Sequence, residues 1–346
     1  MKIGIAGIGF MGWIHWLAYD RCPESEVVAI ASRDPKKRAG DWTMIEGNFP
    51  PPGEQVDLSN VNCHETYDQL LADPAVEVVD ICLPPSMHCD AAIQALEADK
   101  HVFVEKPMAL TPDECDRMVA AANAAGKQVL VGHVLPFFPE YTHAIEAARQ
   151  RTYGKVLGGS FKRIISDPTW ISDFYDPQKV GGPLVDLHVH DAHLICVLFG
   201  MPSGVVSQGR FRGEVVEFCH SLFDFDGKDY VVHAVSGVIN QQGRPFTHGF
   251  ELQFEKATLQ YEFAVAGGDV VTLMPLTVYD ESGEVRQIEL ESGDSVTAFV
   301  HEVEEVAQAI HAGNPSQLLG GALARDAIVL CQRQTEAVRN GSRVEI

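Results

Sequence analysis

Apolar positions in the first 132 residues follow two alternating rhythms. Short continuous runs read as strands: Lys2 to Ala6, Val27 to Ala31, Val76 to Leu83, His101 to Val104 and Gln128 to Val131. Between them, Met11 to Asp20, Ser86 to Ala98 and Thr111 to Ala125 carry helical spacing, the last with Pro112 in its first turn. Strands that are apolar throughout and separated by helices predict a parallel sheet covered on both faces. Beyond residue 154 the pattern changes. Val156 to Ile165, Gly204 to Phe211, Val215 to Phe225, Lys228 to Ile239, Gly249 to Phe254, Ala257 to Phe263, Val270 to Met274 and Leu276 to Tyr279 read as strands. Gly, Asp or Pro turns separate most of them, which predicts a largely antiparallel sheet. Helical spacing returns at Leu184 to Phe199, Ala298 to Ala312 and Ala322 to Asn340. The expected class is an α/β half joined to an α+β half. Two stretches break the rhythm: the Pro-rich surface loop from Gly47 to Gly53, and the aromatic- and turn-rich region from Asp167 to Pro183.

Length and charge narrow the function. At ~150 residues per domain, 346 residues suit two domains. The chain is 46 % hydrophobic and 21 % charged, an ordinary globular balance. With 26 Lys and Arg against 48 Asp and Glu the net charge is −22, which disfavours nucleic acid and anionic membranes as partners. Any bound anion then needs a local site. The eight cysteines are scattered, with no Cys-x-x-Cys pair, as expected of free thiols in a reducing compartment. No apolar run reaches the ~18 residues of a membrane span, so a cytoplasmic protein is expected.

Gly7-Ile8-Gly9-Phe10-Met11-Gly12 supplies that local anion site. It follows a predicted strand and opens a predicted helix, so its glycines allow a tight turn and bring a pyrophosphate onto the helix N-terminus. At the end of the second strand, where an acid would hold a ribose hydroxyl, stand Ser32 and Arg33. A hydroxyl and a guanidinium suit a 2′-phosphate, favouring NADP, while Asp34 keeps NAD open. Lys36, Lys37 and Arg38 read as a solvated helix start. Glu105-Lys106-Pro107 follows a strand, at the end that faces a ligand crevice in a parallel sheet.

Asp186-Leu187-His188-Val189-His190-Asp191-Ala192-His193 has two readings. On a strand, His188 and His190 point the same way and can clamp a metal. On a helix they diverge, while Asp186, His190 and His193 share a face and the carboxylate can tune the histidine for proton transfer. The helical reading is preferred, with no metal expected; the other would be a metal-dependent hydrolase.

Together these motifs resemble the Gfo/Idh/MocA family over nearly the whole chain. The resemblance is carried by Gly7 to Gly12 with His15 and Tyr19, by Leu83-Pro84-Pro85-Ser86-Met87-His88, by Glu105-Lys106-Pro107, by Gly132-His133-Val134, and by Gly181-Gly182-Pro183-Leu184-Val185-Asp186 followed by His190. It implies a Rossmann domain (1–132) and a second domain (133–346) built on a large, mainly antiparallel open sheet. That sheet is expected to mediate a homodimer or homotetramer, and the C-terminal helix to pack back on the first domain. It further implies hydride transfer between NADP or NAD and a hydroxyl- or carbonyl-bearing carbon of a sugar, sugar derivative or cyclitol. Lys106 would polarise the reacting oxygen, His190 would be the general acid/base, and Asp186 would tune it or hold the substrate. Gly7, Gly9, Phe10, Met11, Gly12, Ser32, Arg33, Leu83, Pro84, His88, Glu105 and Lys106 would surround the cofactor. Trp13, His133, Trp170 and His193 are candidates at the substrate, Trp13 being equally a core residue. The chain departs from the family in His188, where glycine is frequent, in Pro136, where arginine is frequent, and in the longer Pro-rich loop. Two other functions within the family are weighed: a non-catalytic nucleotide or metabolite sensor, against which the retained lysine, aspartate and histidine argue, and an NAD-dependent glycoside hydrolase.

Overall fold

The computed structural model describes residues 1–346 apart from Asn48, Trp170, Gly268, Glu291 and Ser292. Trp170 therefore lies outside the described residues. The chain forms two compact units, Met1–Phe137 with Ser292–Arg325, and Phe138–Glu291 with Asp326–Ile346.

In the first unit the expected alternation is realised as β1 (Lys2–Ala6), α1 (Phe10–Arg21), β2 (Glu26–Ala31), α2 (Pro35–Arg38), β3 (Asn62–His64), α3 (Tyr67–Leu71), β4 (Val78–Ile81), α4 (His88–Glu97), β5 (His101–Glu105), α5 (Pro112–Ala125) and β6 (Val129–Gly132). All strand pairings are parallel, in the order β3-β2-β1-β4-β5-β6. This is the doubly wound order, whose topological switch falls between β1 and β4. Local chemistry sets the helix ends: Thr111 and Glu114 form a reciprocal capping box ahead of α5, and Gly126 closes it in the left-handed region. Ile3, Ile5, Trp13, Trp42 and Phe103 fill the core. The Pro-rich loop is tied down on this core. The Trp13 indole N–H donates to the Pro51 carbonyl at 3.1 Å, and Phe49 stacks on Phe299 with ring centres 5.8 Å apart.

The second unit contains α6 (Pro139–Gln150), β7 (Val156–Ser166), a π-helical turn (Leu184–His188), α7 (Val189–Phe199), β8 (Gly204–Arg212), β9 (Val215–Asp224), β10 (Val231–Ile239), β11 (Phe246–Phe254), β12 (Ala257–Ala266), β13 (Asp269–Asp280), β14 (Val285–Gln287) and β15 (Val344–Glu345). Its nine strands run β14-β13-β12-β11-β7-β10-β9-β8-β15, antiparallel except for β7 with β10. Two helices complete the chain, α8 (Thr297–Ala312) and α9 (Gly321–Asn340). The sequence reading assigned α8 to the second domain; it packs on α1 in the first unit, contributing Phe299, Val303 and Val306 to that core.

Two local expectations are corrected. Val270 to Met274 and Leu276 to Tyr279 form one strand, β13. Pro275 does not end it, because the register with β12 slips there: Gln260 faces Thr277 and Glu262 faces Met274, so the missing N–H falls at an irregularity. The helix expected over Leu184 to Phe199 opens with a π turn, and the four-residue spacing of an ordinary helix does not apply between Asp186 and His190.

Candidate functional site

The first unit carries a cradle at the carboxyl end of β1. Gly7 has φ +98°, and a Cβ there would lie 2.7 Å from the Cys82 carbonyl oxygen. A Cβ on Gly12 would lie 2.3 Å from the Gly7 carbonyl oxygen, so both glycines are required by the turn itself. Gly9 differs: a Cβ there meets nothing within 4 Å. Gly9 is also the N-cap of α1, makes no side-chain cap hydrogen bond, and has no acidic residue in the turn that follows. An uncapped helix N-terminus beneath open space is what a pyrophosphate needs, so these residues fit a dinucleotide. Phe10 and Met11 are half-buried beside it, and Phe10 packs edge-on against Phe49 with ring centres 4.8 Å apart.

Past β2, Ser32 is half-buried and Arg33 exposed. Asp34 is engaged locally, its carboxylate capping α2 by accepting the Lys36 N–H at 2.9 Å. Lys37 and Arg38 do not form the solvated start expected of them. Lys37 Nζ donates to the Ile8 carbonyl of the glycine loop at 2.6 Å, and Arg38 Nη1 donates to the Ser32 carbonyl at 2.7 Å. Sequence reasoning missed both because Lys37 finds its partner 29 residues away and Arg38 bonds back to a carbonyl ahead of its own helix; their basic character beside the motif was the only signal.

Lys106 stands half-buried at the carboxyl end of β5. Glu105 is buried, and both of its oxygens are used inside the protein: Oε2 accepts the Lys106 backbone N–H at 3.0 Å and Oε1 lies 3.1 Å from His15 Nε2. His88 bridges the turns on either side of it, with Nε2 2.7 Å from the Leu83 carbonyl and Nδ1 2.8 Å from the Pro107 carbonyl. Burial holds the His88 pKa below the usual histidine range. Leu83 is half-buried and Pro84 exposed on this rim. His133 is buried. Trp13, 1 % exposed and packed edge-on against Trp42, takes the core alternative.

The second unit carries the histidine helix. Its residues divide by exposure: Asp186 and His190 are half-buried, whereas His188, Asp191 and His193 are buried. The buried members are braced. Asp191 receives a two-pronged ion pair from Arg163 on β7, at 2.8 Å from Nε and 3.1 Å from Nη2. Gln334 on α9 donates to His188 Nε2 at 3.0 Å and to the Ser221 hydroxyl at 2.8 Å. Burial and the Arg163 charge outweigh Asp191 and keep the His188 pKa low. His193, expected on the same face as Asp186 and His190, has a buried ring.

The doubly wound sheet and its glycine cradle define a dinucleotide-binding fold. The model for an oxidoreductase family with an NAD-binding Rossmann fold matches residues 1–133, and that for the GFO/IDH/MocA C-terminal domain matches residues 141–260. The chain belongs to the Gfo/Idh/MocA oxidoreductase family. It is similar to a 1-carboxy-3-chloro-3,4-dihydroxycyclohexa-1,5-diene dehydrogenase of Comamonas testosteroni, 33 % identical over 52 % of this chain and 40 % of that protein. That match, like the next one at 46 %, spans less than half of the relative's length. A dTDP-3,4-didehydro-2,6-dideoxy-alpha-D-glucose 3-reductase of Actinomadura kijaniata is 24 % identical over 99 % of this chain and 96 % of its own. Among solved structures, a levoglucosan dehydrogenase in complex with NADH and levoglucosan superposes with a TM-score of 0.79 at 20 % identity, covering 100 % of this chain and 99 % of that one, and so shares the fold. All eight cysteines are free, and no helix among the described residues is long and apolar enough to cross a membrane.

Proposed function

We propose that this protein transfers hydride between NAD(P) and the hydroxyl- or carbonyl-bearing carbon of a sugar, sugar derivative or cyclitol. The observation that carries the reading is the open cradle at Gly9 with Lys106 at the carboxyl end of β5, on the ligand-facing edge of the same sheet. Membership of an oxidoreductase family, with a sugar-nucleotide reductase among the relatives, supports it. A bound nicotinamide supplies the hydride acceptor or, in reduction, the donor. Gly7, Gly9 and Gly12 admit the pyrophosphate to the N-terminus of α1. Lys106 donates a hydrogen bond to the reacting oxygen and stabilises its developing charge. His190, half-exposed on a braced helix, takes the hydroxyl proton in oxidation and returns it in reduction, with Asp186 orienting it.

NADP is the favoured cofactor. Asp34 already caps its own helix, which leaves Ser32, Arg33 and the half-buried Arg38 as the groups that would receive a ribose 2′-phosphate. We further propose that copies of the chain associate through the uncovered face of the nine-stranded sheet, where Val206, Leu222 and Val231 are exposed.

Calorimetric titration with NADPH and NADH, followed by a sugar and cyclitol panel read by nicotinamide absorbance, tests the function. Lys106→Ala should lower turnover on the accepted substrate by roughly 10²–10⁴-fold with nucleotide affinity nearly intact. A fully active variant refutes the assignment. Arg38→Ala should weaken NADPH about tenfold and leave NADH unchanged.

A further inference from the structure

Beneath the cradle, in the interior of the first unit, lies a cluster of ionisable groups that hydride transfer does not use. His15 from α1 is fully buried, with Nδ1 2.9 Å from Asp80 Oδ2 on β4 and Nε2 3.1 Å from Glu105 Oε1 on β5. Tyr19, one turn on, donates its hydroxyl to the same Asp80 oxygen at 3.0 Å. Cys82 Sγ lies 3.5 Å from both His15 Nδ1 and Asp80 Oδ1. Phe103 stacks on the imidazole with ring centres 5.2 Å apart, and Phe299 closes the side facing α8. The remaining group is Glu302 on α8, also fully buried; among the described residues neither of its oxygens has a hydrogen-bond partner.

A neutral imidazole has one N–H, and both ring nitrogens of His15 face carboxyl oxygens. Both contacts are hydrogen bonds to ionised carboxylates only if the ring carries two protons. The neighbours favour that state. Burial works against the charge, but Asp80 and Cys82, with the hydrogen bonds they make, hold the His15 pKa well above the ordinary histidine range. Burial pushes the Glu302 pKa up, His15 opposes the shift, and Glu105 and Asp80 add to it. The cluster thus sets one imidazole between two carboxyl groups, with both ring nitrogens engaged.

We propose that His15 is a positioning residue for Lys106. Donating from both nitrogens, it straps Glu105 on β5 to Asp80 on β4, and the second oxygen of Glu105 fixes the Lys106 backbone N–H. His15 is three residues beyond Gly12, on the helix whose N-terminus forms the cradle, so the strap ties the Lys106 turn to the cofactor helix across two strands. Its importance to catalysis rests on the role given to Lys106 above; the strap itself is tested without a substrate.

In ¹⁵N spectra of the imidazoles the His15 ring should appear doubly protonated from pH 6 to 8, its signals assigned by their loss in His15→Gln or their shift in Glu105→Gln. In His15→Gln the amide of Lys106 should exchange with solvent about tenfold faster by hydrogen–deuterium exchange, because a charge-assisted strap has gone. Peptides covering β1 should keep their protection, and NADH affinity by fluorescence titration should stay within about threefold. A neutral His15 ring in the wild-type spectrum overturns the proposal even if the variant does not fold. Unchanged exchange at Lys106 overturns it where the variant folds, and general loss of protection across the unit reduces His15 to a core residue. An inactive sugar panel would sink the dehydrogenase reading and leave these three readouts untouched.

Discussion

Two histidine clusters, one in each unit, are treated oppositely by the charges around them. In the first, His15 sits between Asp80 and Glu105 with Glu302 nearby, and its pKa is raised. In the second, His188 is as deeply buried and His248 is half-buried, and burial with the Arg163 charge lowers both. Asp191, 3.8 Å from His188 Nδ1, is already committed to Arg163 through two hydrogen bonds. Tyr141 completes that environment, its hydroxyl 2.6 Å from His248 Nδ1. Depth alone does not decide a buried histidine's protonation; the sign of the uncompensated charge beside it does. One cluster uses a charged ring as a strap. The other uses neutral rings and an ion pair to brace the helix that carries His190.

The comparison breaks most visibly at Arg163. Arg163→Met leaves Asp191 buried without its partner and should cost roughly 3–5 kcal/mol by urea unfolding of the second unit. A loss below about 1 kcal/mol means that the ion pair is not the brace described here. The same variant should raise the His188 and His248 pKa values, which histidine NMR titration reads directly.

Acidity sharpens the contrast. His188 and His248 have lowered pKa values, so the unfolded chain binds their protons first and the second unit weakens as pH falls below the unfolded value near 6.5. Each contributes about 1.4 kcal/mol per pH unit over that window. The His15 cluster in the first unit moves the other way, opposed there by the lowered pKa of His88. The raised pKa of His15 adds stability that is complete below about 6.5 and is lost as pH rises through its folded value. Glu302, also raised, adds a contribution greatest below its unfolded value and lost as pH rises through its folded one. Amide protection, corrected for intrinsic exchange, should therefore rise in β5 and fall in β7 between pH 7.5 and 5.5. Protection that moves in parallel removes the distinction.

The smallest effect is expected at the surface. Arg21 pairs with Asp294 at 2.8 Å with both side chains about half exposed, so Arg21→Ala should change stability by less than about 1 kcal/mol. Set beside Arg163→Met, it separates a braced buried pair from a solvated one.

The two regions also differ in how well their sequences announce them. Around the cradle, Gly7 and Gly12 are imposed by backbone contacts within one β–α turn, and such local demands leave a spacing that can be read directly. Around the histidine helix, the useful distinction between His190 and its neighbours comes from Arg163 and Gln334, 28 and 146 residues from the groups they hold. Spacing along the helix points to a shared face for Asp186, His190 and His193; it carries no sign of the π turn that precedes His190 or of the burial of the His193 ring. The short helix α6 went unread because its buried face consists largely of Tyr141, Ile145 and two alanines, a weak periodic signal.

By itself the sequence determined the alternation that makes a doubly wound sheet, the glycine turn that admits a pyrophosphate, the placement of Lys106 after a parallel strand, and the change to an antiparallel sheet past residue 154. Each follows from interactions within a few residues, or from a hydrophobic period that holds whatever the partner. Tertiary structure alone decided that α8 joins the first unit, that Lys37 turns back on the glycine loop and Arg38 on Ser32, and that His15 meets Asp80 and Glu105, 65 and 90 residues away. The protonation of a buried ring depends on which charges the fold gathers around it in three dimensions, and spacing along the chain carries no record of that.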